Sequence, residues 1–385
     1  MKKYTVKSVL SKLIGFDTTS HLSNLGLIQF IETYLAEHNV HSTLIYNDTK
    51  TKANLIATIG PNVPGGVVLS GHTDVVPVVG QDWYTDPFQM VEQEGKFFGR
   101  GTADMKGFIA VALAVVPFFS AAKLKRPVHL AFSFDEEVGC MGIQAMLEPL
   151  RGHIASPRLV IVGEPTNMQV GNAHKGQMVS KTRIWGREAH SSRPDDGVNA
   201  VEAAAELIGL VAALRNKARD TGIQNSVFDP PYTSFNVGPV SGGSAFNIIP
   251  NFCEFDWEFR FVPGDDPEAI LHEYNSYIYE KINPRLGARF PECRAENTVW
   301  AVLPPLKAEP GSDAETLALA LAAKNDTTAL AFGTESGYFQ SIDFPTVVCG
   351  PGDIAQAHKP NEFIDMSQLQ ACEQLMHRLI SALEE

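Results

Sequence analysis

Histidines and carboxylic acids stand at five places where the sequence predicts the end of a β-strand or a glycine-rich turn. They are His72, Asp104, the pair Glu136 and Glu137, Glu164, and His358. Because the carboxyl ends of parallel strands meet at one edge of a sheet, we expect these side chains to converge. One acid at such a position is usually a helix cap or a solvated loop residue. Two imidazoles with three or four carboxylates suit a pair of divalent ions such as zinc, cobalt or manganese.

The spacing of His72 and Asp74 indicates how the first of these ligands is supported. The apolar run 66–70 predicts a buried strand that ends at His72, and Asp74 follows two residues later on the same side of an extended chain. We expect the carboxylate of Asp74 to accept a hydrogen bond from one ring nitrogen and leave the other for a metal. Alone, such a pair is better explained as a satisfied surface contact.

The elements around these residues alternate between strands and helices. Helical spacing is present at 5–16, 24–38, 105–121, 313–323 and 367–383, and strands are predicted at 54–59, 66–70, 127–134, 158–162 and 346–349. This alternation is typical of an α/β fold with a mostly parallel sheet covered on both faces.

The middle of the chain has a different pattern. Residues 253–260 alternate between apolar and charged side chains, as in an antiparallel strand with one wet face. Further strands are predicted at 178–185 and 298–303, and helices at 198–214 and 269–282. We therefore predict a small α+β domain at 178–303, inserted into a catalytic domain made of 1–177 and 304–385.

Composition limits the classes of partner and compartment. The chain has 385 residues, a net charge of −13 and 44% hydrophobic residues. This acidity argues against nucleic acid or an anionic membrane as partner. The five cysteines include no C-x-x-C, and lysines interrupt any signal-peptide core near the N-terminus, so a reducing cytoplasm is the expected location.

The motifs together resemble those of the M20 family of metallopeptidases and deacylases. The resemblance covers nearly the whole chain and is carried by Gly71-His72-Thr73-Asp74, Gly101-Thr102-Ala103-Asp104-Met105-Lys106-Gly107, Asp135-Glu136-Glu137, Gly163-Glu164-Pro165-Thr166 and Ala357-His358. It implies a zinc-exopeptidase-like catalytic domain with an inserted, ferredoxin-like lid and dimerisation domain.

The resemblance also implies roles for single residues. Two divalent ions, zinc or cobalt, would be held by two groups that share a bridging acid: His72, Asp104 and Glu164, and Asp104, Glu137 and His358. Glu136 would be the general base without binding a metal, and Asp74 would support His72. In a sequence without these motifs, two adjacent glutamates would indicate only an acidic, solvent-exposed turn.

The inserted domain and a late loop supply candidate substrate contacts. Residues 186–194 resemble the family's lid motif, in which His190 would reach the partner subunit's active site and stabilise an oxyanion, which implies a homodimer. Asn247 is a substrate contact or a turn residue. Arg260 is the candidate partner of a substrate carboxylate, or else a cross-strand ion pair. Glu335 is the candidate partner of a cationic side chain, or else an acid at a helix start.

Residues 351–363 and 332–335 most resemble family members that deacetylate N-acetylornithine. The implied activity is metal-dependent hydrolysis of the N-acetyl amide of an amino acid, first of all N2-acetyl-L-ornithine in arginine biosynthesis. Other M20 activities stay open: aminoacylase, succinyl-diaminopimelate desuccinylase and dipeptidase. A non-catalytic metal-binding protein is the alternative from another class, and the presence of Glu136 argues against it.

Overall fold

A computed structural model describes residues 4–384. The chain divides into two compact units. The first runs to Ala173 and resumes with Leu306–Leu330 and again from Thr334 onward, and the second comprises His174–Pro305 and Ala331–Gly333. The boundaries drawn from the sequence lie at 177/178 and 303/304.

The strands and helices alternate along the chain as follows. The strands are β1 (Ser42–Tyr46), β2 (Ala53–Ile59), β3 (Val67–His72), β4 (Val91–Gln93), β5 (Lys96–Phe98), β6 (Val128–Ser133), β7 (Leu159–Pro165), β8 (Val170–His174), β9 (Gly176–Trp185), β10 (Ser234–Gly242), β11 (Phe252–Phe261), β12 (Arg294–Leu303), β13 (Thr327–Leu330), β14 (Thr346–Gly350) and β15 (Phe363–Asp365). The α-helices are α1 (Val6–Ile14), α2 (Leu25–Glu37), α3 (Lys106–Ala121), α4 (Met141–His153), α5 (Ala200–Thr221), α6 (Pro267–Tyr277), α7 (Asn283–Gly287), α8 (Asp313–Ala322), α9 (Ser336–Ser341) and α10 (Met366–Glu384).

The main sheet has eight strands in the order β1-β2-β6-β3-β7-β14-β8-β13. Its four central strands, β6, β3, β7 and β14, pair in parallel. The neighbours β2 and β8 join this centre in antiparallel fashion, as does β1 on β2. The predicted parallel arrangement is thus confirmed at the centre, where the carboxyl ends of β3 and β7 lie side by side.

Helix α3 packs against the centre of the sheet. It is apolar around its circumference and buried along nearly its whole length, which is the pattern of a helix enclosed on all sides. Phe108 of this helix approaches β7 so closely that a Cβ added at Gly163 would lie 2.0 Å from its ring. Glycine is therefore required at the position immediately before Glu164.

The second unit has the predicted α+β architecture. Its sheet has the order β10-β11-β9-β12, with all three pairings antiparallel. Together with α5 and α6 this is the strand–helix–strand–strand–helix–strand arrangement of ferredoxin-like folds. Along β11 the burial alternates as predicted, and Trp257 and its apolar neighbours on the same face are buried.

Helix α4 and strand β10 are among the elements that were not predicted, and each of these two has a local reason. Helix α4 contains Pro149 and begins with Met141-Gly142, which weakens its helical pattern. Strand β10 contains Gly238 and Pro239, and its mostly exposed residues pair on one side only. Between residues 4 and 384, the helices are all too short or too polar to cross a bilayer.

His129 on β6 makes the stability of the first unit depend on pH. Its Nδ1 lies 2.9 Å from the Thr58 hydroxyl, and burial lowers its pKa to about 4. Below its ordinary pKa of about 6.5 the unfolded chain binds a proton that the folded chain does not, so the free energy of unfolding falls as pH falls from about 6.5 to about 4. At pH ~5 this loss is about 2 kcal/mol.

We therefore expect the free energy of unfolding, measured in urea, to fall less in His129→Gln than in wild type between pH ~7.5 and pH ~5. The two decreases should differ by about 2 kcal/mol. His41→Gln, at an exposed position, is the control and should behave as wild type. The metal ligands titrate alike in all three proteins, so their contribution cancels. Equal pH dependence of wild type and His129→Gln would contradict this account.

Candidate metal centre and active site

Two groups of donor atoms lie at the carboxyl edge of the central strands. His72, Asp104 and Glu164 form the first triad, and Asp104, Glu137 and His358 form the second, with the donor atoms of each triad within 4.8 Å of one another. The first triad is buried, whereas the side chain of His358 in the second is 56% exposed. The structure thus brings together all five residues that the resemblance assigns to metal binding.

Asp104 belongs to both triads, and its two oxygens face opposite ways. Oδ1 lies 2.9 Å from Nε2 of His72, and Oδ2 lies 3.4 Å from Nε2 of His358. Glu137 completes the second triad, with its Oε2 3.0 Å from Nε2 of His358. A carboxylate oriented in this way can bridge two ions.

The carboxyl groups of this site disfavour one another's ionisation. Burial, followed by the negative charge of Asp104, raises the pKa of Glu164 well above its ordinary value. The same two causes raise the pKa of Glu137 to about 7. Oε1 of Glu164 is buried and has no hydrogen-bond partner among the described residues. An orphaned carboxylate oxygen within such a donor set fits a divalent cation.

The pKa values of the two histidines also indicate that the site favours positive charge. Burial lowers the pKa of His72, but Glu164 and Asp104 outweigh it, and the net shift is well upward. Hydrogen bonds to Asp104 and Glu137 raise the pKa of His358 to about 10. Histidine and carboxylate ligands of this number and kind are those that zinc and cobalt accept.

Glu136 is close to the triads but belongs to neither. Burial, together with the charges of Glu137 and Glu335, raises the pKa of Glu136 well above its ordinary value, and His72 opposes this. Its Oε1 lies 3.7 Å from Sγ of Cys140. A half-buried carboxylate with a raised pKa is suited to accept and return a proton.

The observed contact between Asp74 and His72 differs from the one that the sequence predicts. Nδ1 of His72 pairs with the backbone carbonyl of Asp74 at 3.0 Å, whereas the carboxylate of Asp74 lies at 3.6 Å, beyond hydrogen-bond range. That carboxylate instead accepts from the Ser20 hydroxyl at 2.8 Å and from the backbone N–H groups of Glu136 and Glu137 at 3.1 and 3.3 Å. Asp74 therefore orients the Glu136–Glu137 segment as well as the histidine.

Glu335 caps the start of α9 by position, but its side chain makes no capping hydrogen bond. It is buried, with Oε1 unpartnered among the described residues. Burial raises the pKa of Glu335 to about 7, and the nearby Ser133 hydroxyl and His72 partly offset this rise. The alternative interpretation, an acid at a helix start, does not account for its burial.

The second unit positions the other three candidates in two places. His190 forms a β-bridge with Ile248, and the N–H of Ser191 donates to the carbonyl of Asn247 at 3.0 Å, so His190 and Asn247 lie in adjoining loops. Arg260 stands at the far end of β11, about 26 Å along the strand from Phe252. Arg260 contacts Glu258 through one long bond of 3.4 Å.

Sequence reasoning missed the residues that hold the ligand loops. Ser20 binds Asp74, Lys52 forms an ion pair of 2.6 Å with Asp135, and a buried ion pair of 2.8 Å joins Arg100 to Glu362. Arg100 immediately precedes the motif at 101–107 and Glu362 lies within 351–363, so proximity to these segments was the available signal. No local pattern marks Ser20 or Lys52.

Comparison with known proteins agrees with this geometry. The family described as Peptidase family M20/M25/M40 matches residues 68–382. An acetylornithine deacetylase from Proteus mirabilis (strain HI4320) is 36% identical over 343 residues, covering 86% of this chain and 83% of that protein. An acetylornithine deacetylase from Pasteurella multocida (strain Pm70) is 33% identical over 387 residues, covering 96% of each.

Solved structures share the fold at low sequence identity. An M20 family metallo-carboxypeptidase from Sulfolobus solfataricus has a TM-score of 0.79 at 17% identity and covers 99% of both chains. A dinuclear metal-binding M20 peptidase from Bacillus subtilis has a TM-score of 0.64 at 17% identity, covering 98% of this chain and 99% of that one. The predicted resemblance is confirmed: the chain belongs to peptidase family M20/M25/M40.

Proposed function

We propose that this protein is a two-metal amidohydrolase that removes the N-acetyl group from an amino acid, with N2-acetyl-L-ornithine as its substrate. One observation carries the proposal: the two oxygens of Asp104 face two separate donor triads, with the unliganded acid Glu136 beside them. The relatives named as acetylornithine deacetylases support the choice of substrate and a place in arginine biosynthesis.

The metal ions enter the proposal through the triads. His72, Asp104 and Glu164 would hold one ion and Asp104, Glu137 and His358 the other. Bound zinc or cobalt would supply a Lewis acid and a water of lowered pKa. The residues of the chain then supply proton transfer, orientation and recognition.

Glu136 moves the proton. Its carboxylate takes a proton from the attacking water and delivers it to the nitrogen of the leaving amine, which must be protonated before the amide bond breaks. The hydrogen bond from its own N–H to Asp74 at 3.1 Å holds the segment in place. Burial and neighbouring acids raise the pKa of Glu136, which makes its carboxylate a stronger base toward that proton.

His190 suits the stabilisation of an oxyanion. Its Nδ1 accepts from the backbone N–H of Ser192 at 3.2 Å, so the neutral ring carries its proton on Nε2. The Nε2–H is then the donor that a developing negative charge needs. Asn247, in the adjoining loop, is a second polar group for the acyl portion.

Arg260 is the proposed partner of the substrate's α-carboxylate. Arg260 uses only Nε in its long contact with Glu258, which leaves the guanidinium edge for a bidentate contact. Burial, followed by the charge of Arg260, lowers the pKa of Lys175, and Asp229 opposes this shift, so a second cationic group, which donates to the carbonyls of Pro230 and Tyr232, lies near Arg260. This supports a carboxylate-bearing ligand.

The separation of His190 and Arg260 supports a homodimer. In one copy His190 pairs with Ile248, before the start of β11 at Phe252, whereas Arg260 lies about 26 Å along that strand from Phe252. A substrate as small as an acetylated amino acid cannot contact both from one chain. A site that uses both residues therefore takes one from each of two copies.

Glu335 is the proposed partner of the substrate's side-chain amine. A buried carboxylate oxygen without a partner, and a pKa of about 7, are features that a bound ammonium would complement. We place the protein in the cytoplasm, where a reducing environment suits five buried cysteines that form no disulfide among the described residues.

We expect zinc-loaded protein to hydrolyse N2-acetyl-L-ornithine faster than N-acetyl-L-methionine, N-succinyl-diaminopimelate or a dipeptide. Rates of amine release would be measured with and without a chelator, and chelation should abolish them because the ions supply the reactive water. Preference for another substrate would overturn the assignment of N2-acetyl-L-ornithine but keep the two-metal chemistry. Activity that survives complete metal removal would contradict the mechanism.

The same panel tests Glu335. Glu335→Gln should lose the preference for N2-acetyl-L-ornithine over the neutral N-acetyl-L-methionine, by about tenfold or more in kcat/KM, because a charge-assisted hydrogen bond is lost. The neutral substrate is the internal control for folding and metal content. An unchanged ratio would remove Glu335 from the recognition of the amine.

Glu136→Gln should separate metal binding from catalysis. We expect kcat to fall by about 10²- to 10⁴-fold while two zinc ions stay bound, because the base is lost and both triads are intact. Glu137→Gln is the matched neighbour and should lose metal along with activity. If Glu136→Gln keeps its rate, Glu136 is not the base.

Mixing two inactive variants tests the shared site. Glu136→Ala and His190→Ala should each be inactive alone, but exchange of subunits creates one site with both residues intact, so activity should return to roughly a quarter of wild type after equimolar mixing. Size-exclusion chromatography of differently tagged copies confirms exchange. Exchange without recovery of activity would show that His190 serves its own chain.

A further inference from the structure

Glu362 is a buried acid, 1% exposed, that belongs to neither triad. Its carboxylate accepts four hydrogen bonds from one short loop. Oε1 accepts from the N–H groups of Ala103 and Asp104 at 2.8 and 3.1 Å. Oε2 accepts from the N–H of Gly101 at 3.0 Å and from Nη1 of Arg100 at 2.8 Å. All four donors lie in the loop that presents the shared ligand Asp104.

The same network continues to the other loop ligand. Nη2 of Arg100 donates to Oε1 of Gln81 at 2.6 Å, and Nε2 of Gln81 donates to the backbone carbonyl of His358 at 2.9 Å. Nη1 of Arg100 also reaches the carbonyl of Lys359 at 3.3 Å. The chain Glu362–Arg100–Gln81 therefore joins the backbone at Asp104 to the backbone at His358.

The two triads differ in what holds their ligands. His72 and Glu164 lie within β3 and β7, where register with neighbouring strands sets their direction. His358 lies outside the strands with φ of 63°, in the left-handed region that a residue with a Cβ seldom adopts. Contacts from elsewhere must hold such a conformation.

We propose that Glu362 is a positioning residue that couples the Asp104 loop to His358, through Arg100 and Gln81, and so sets the geometry of the second triad. The inference rests on the proposed two-ion function. Groups that orient metal ligands are worth about 10- to 100-fold in metal affinity. The first triad depends less on the network because two of its three ligands are fixed by strands.

A purely structural role for the buried Arg100–Glu362 pair makes a different prediction. Removing one partner of a buried ion pair destabilises a fold as a whole. Such a loss would lower the stability of the metal-free protein and weaken both ions alike. Selective weakening of one ion is expected only if the network acts on one triad.

The test measures zinc binding to the whole metal-free protein, by titration in buffers of known free Zn²⁺ and by the content of bound ions. Glu362→Gln keeps the shape but leaves one side of the carboxylate as an amide that cannot accept from all four donors. Gln81→Met keeps the length but breaks both links to Arg100 and His358. Glu148→Gln, at an exposed position on α4, is the matched control.

We expect the second zinc ion to bind about 10- to 100-fold more weakly in Glu362→Gln and in Gln81→Met, with the first ion changed by less than about threefold. The double variant should be no weaker than the worse single variant, because one network is broken at two points. Thermal unfolding of metal-free Gln81→Met and of the control should match wild type.

Three results would overturn the proposal. Wild-type affinity of both ions in Gln81→Met would show that His358 does not depend on the network. Equal weakening of both ions in Glu362→Gln would show that Glu362 supports Asp104 or the fold as a whole, and not the second triad selectively. If Glu362→Gln fails to fold, the zinc affinities of Gln81→Met alone test the proposal. Wild-type protein that binds fewer than two ions would refute the two-ion function itself, and with it this inference.

Discussion

Four buried or half-buried carboxyl groups, those of Asp104, Glu136, Glu137 and Glu164, lie together at one edge of the main sheet. Burial and the charges of neighbouring acids raise the pKa of Glu136, Glu137 and Glu164, whereas His358 and His72 outweigh burial and lower the pKa of Asp104. The group therefore needs positive charge beside it in order to be ionised. The surrounding structure satisfies this need in stages. Two imidazoles face the acids, and backbone N–H groups turn toward Asp74, which anchors the segment that carries two of them.

The sequence predicted the parts of this arrangement that depend on strands. The apolar runs before His72 and Glu164 identify central strands, and in parallel strands the side chains at the carboxyl ends must lie at one edge. The alternation of residues 253–260 likewise predicted both the strand β11 and its buried face. The periodicity of apolar residues is a property of a short stretch of sequence, so the strands and helices that it defines could be predicted.

Contacts between distant segments could not be read in this way. Ser20 reaches Asp74 across more than fifty residues, and Glu362 reaches the Asp104 loop across more than two hundred and fifty. The short distance between Asp74 and His72 in sequence suggested a bond between their side chains, but the backbone carbonyl of Asp74 takes that place. The role of an acid near a histidine depends on the N–H groups that the fold brings to it.

The position of β14 has a consequence for how the chain can be made. Strands β7 and β8 are neighbours in sequence, yet β14, which is synthesised more than 170 residues later, lies between them. Until residues 346–350 have left the ribosome, β7 carries an open apolar edge in the middle of the future sheet. A chain cut short before β14 would retain His72, Asp104 and Glu164 but expose this edge, which is the kind of surface on which unfinished chains join one another.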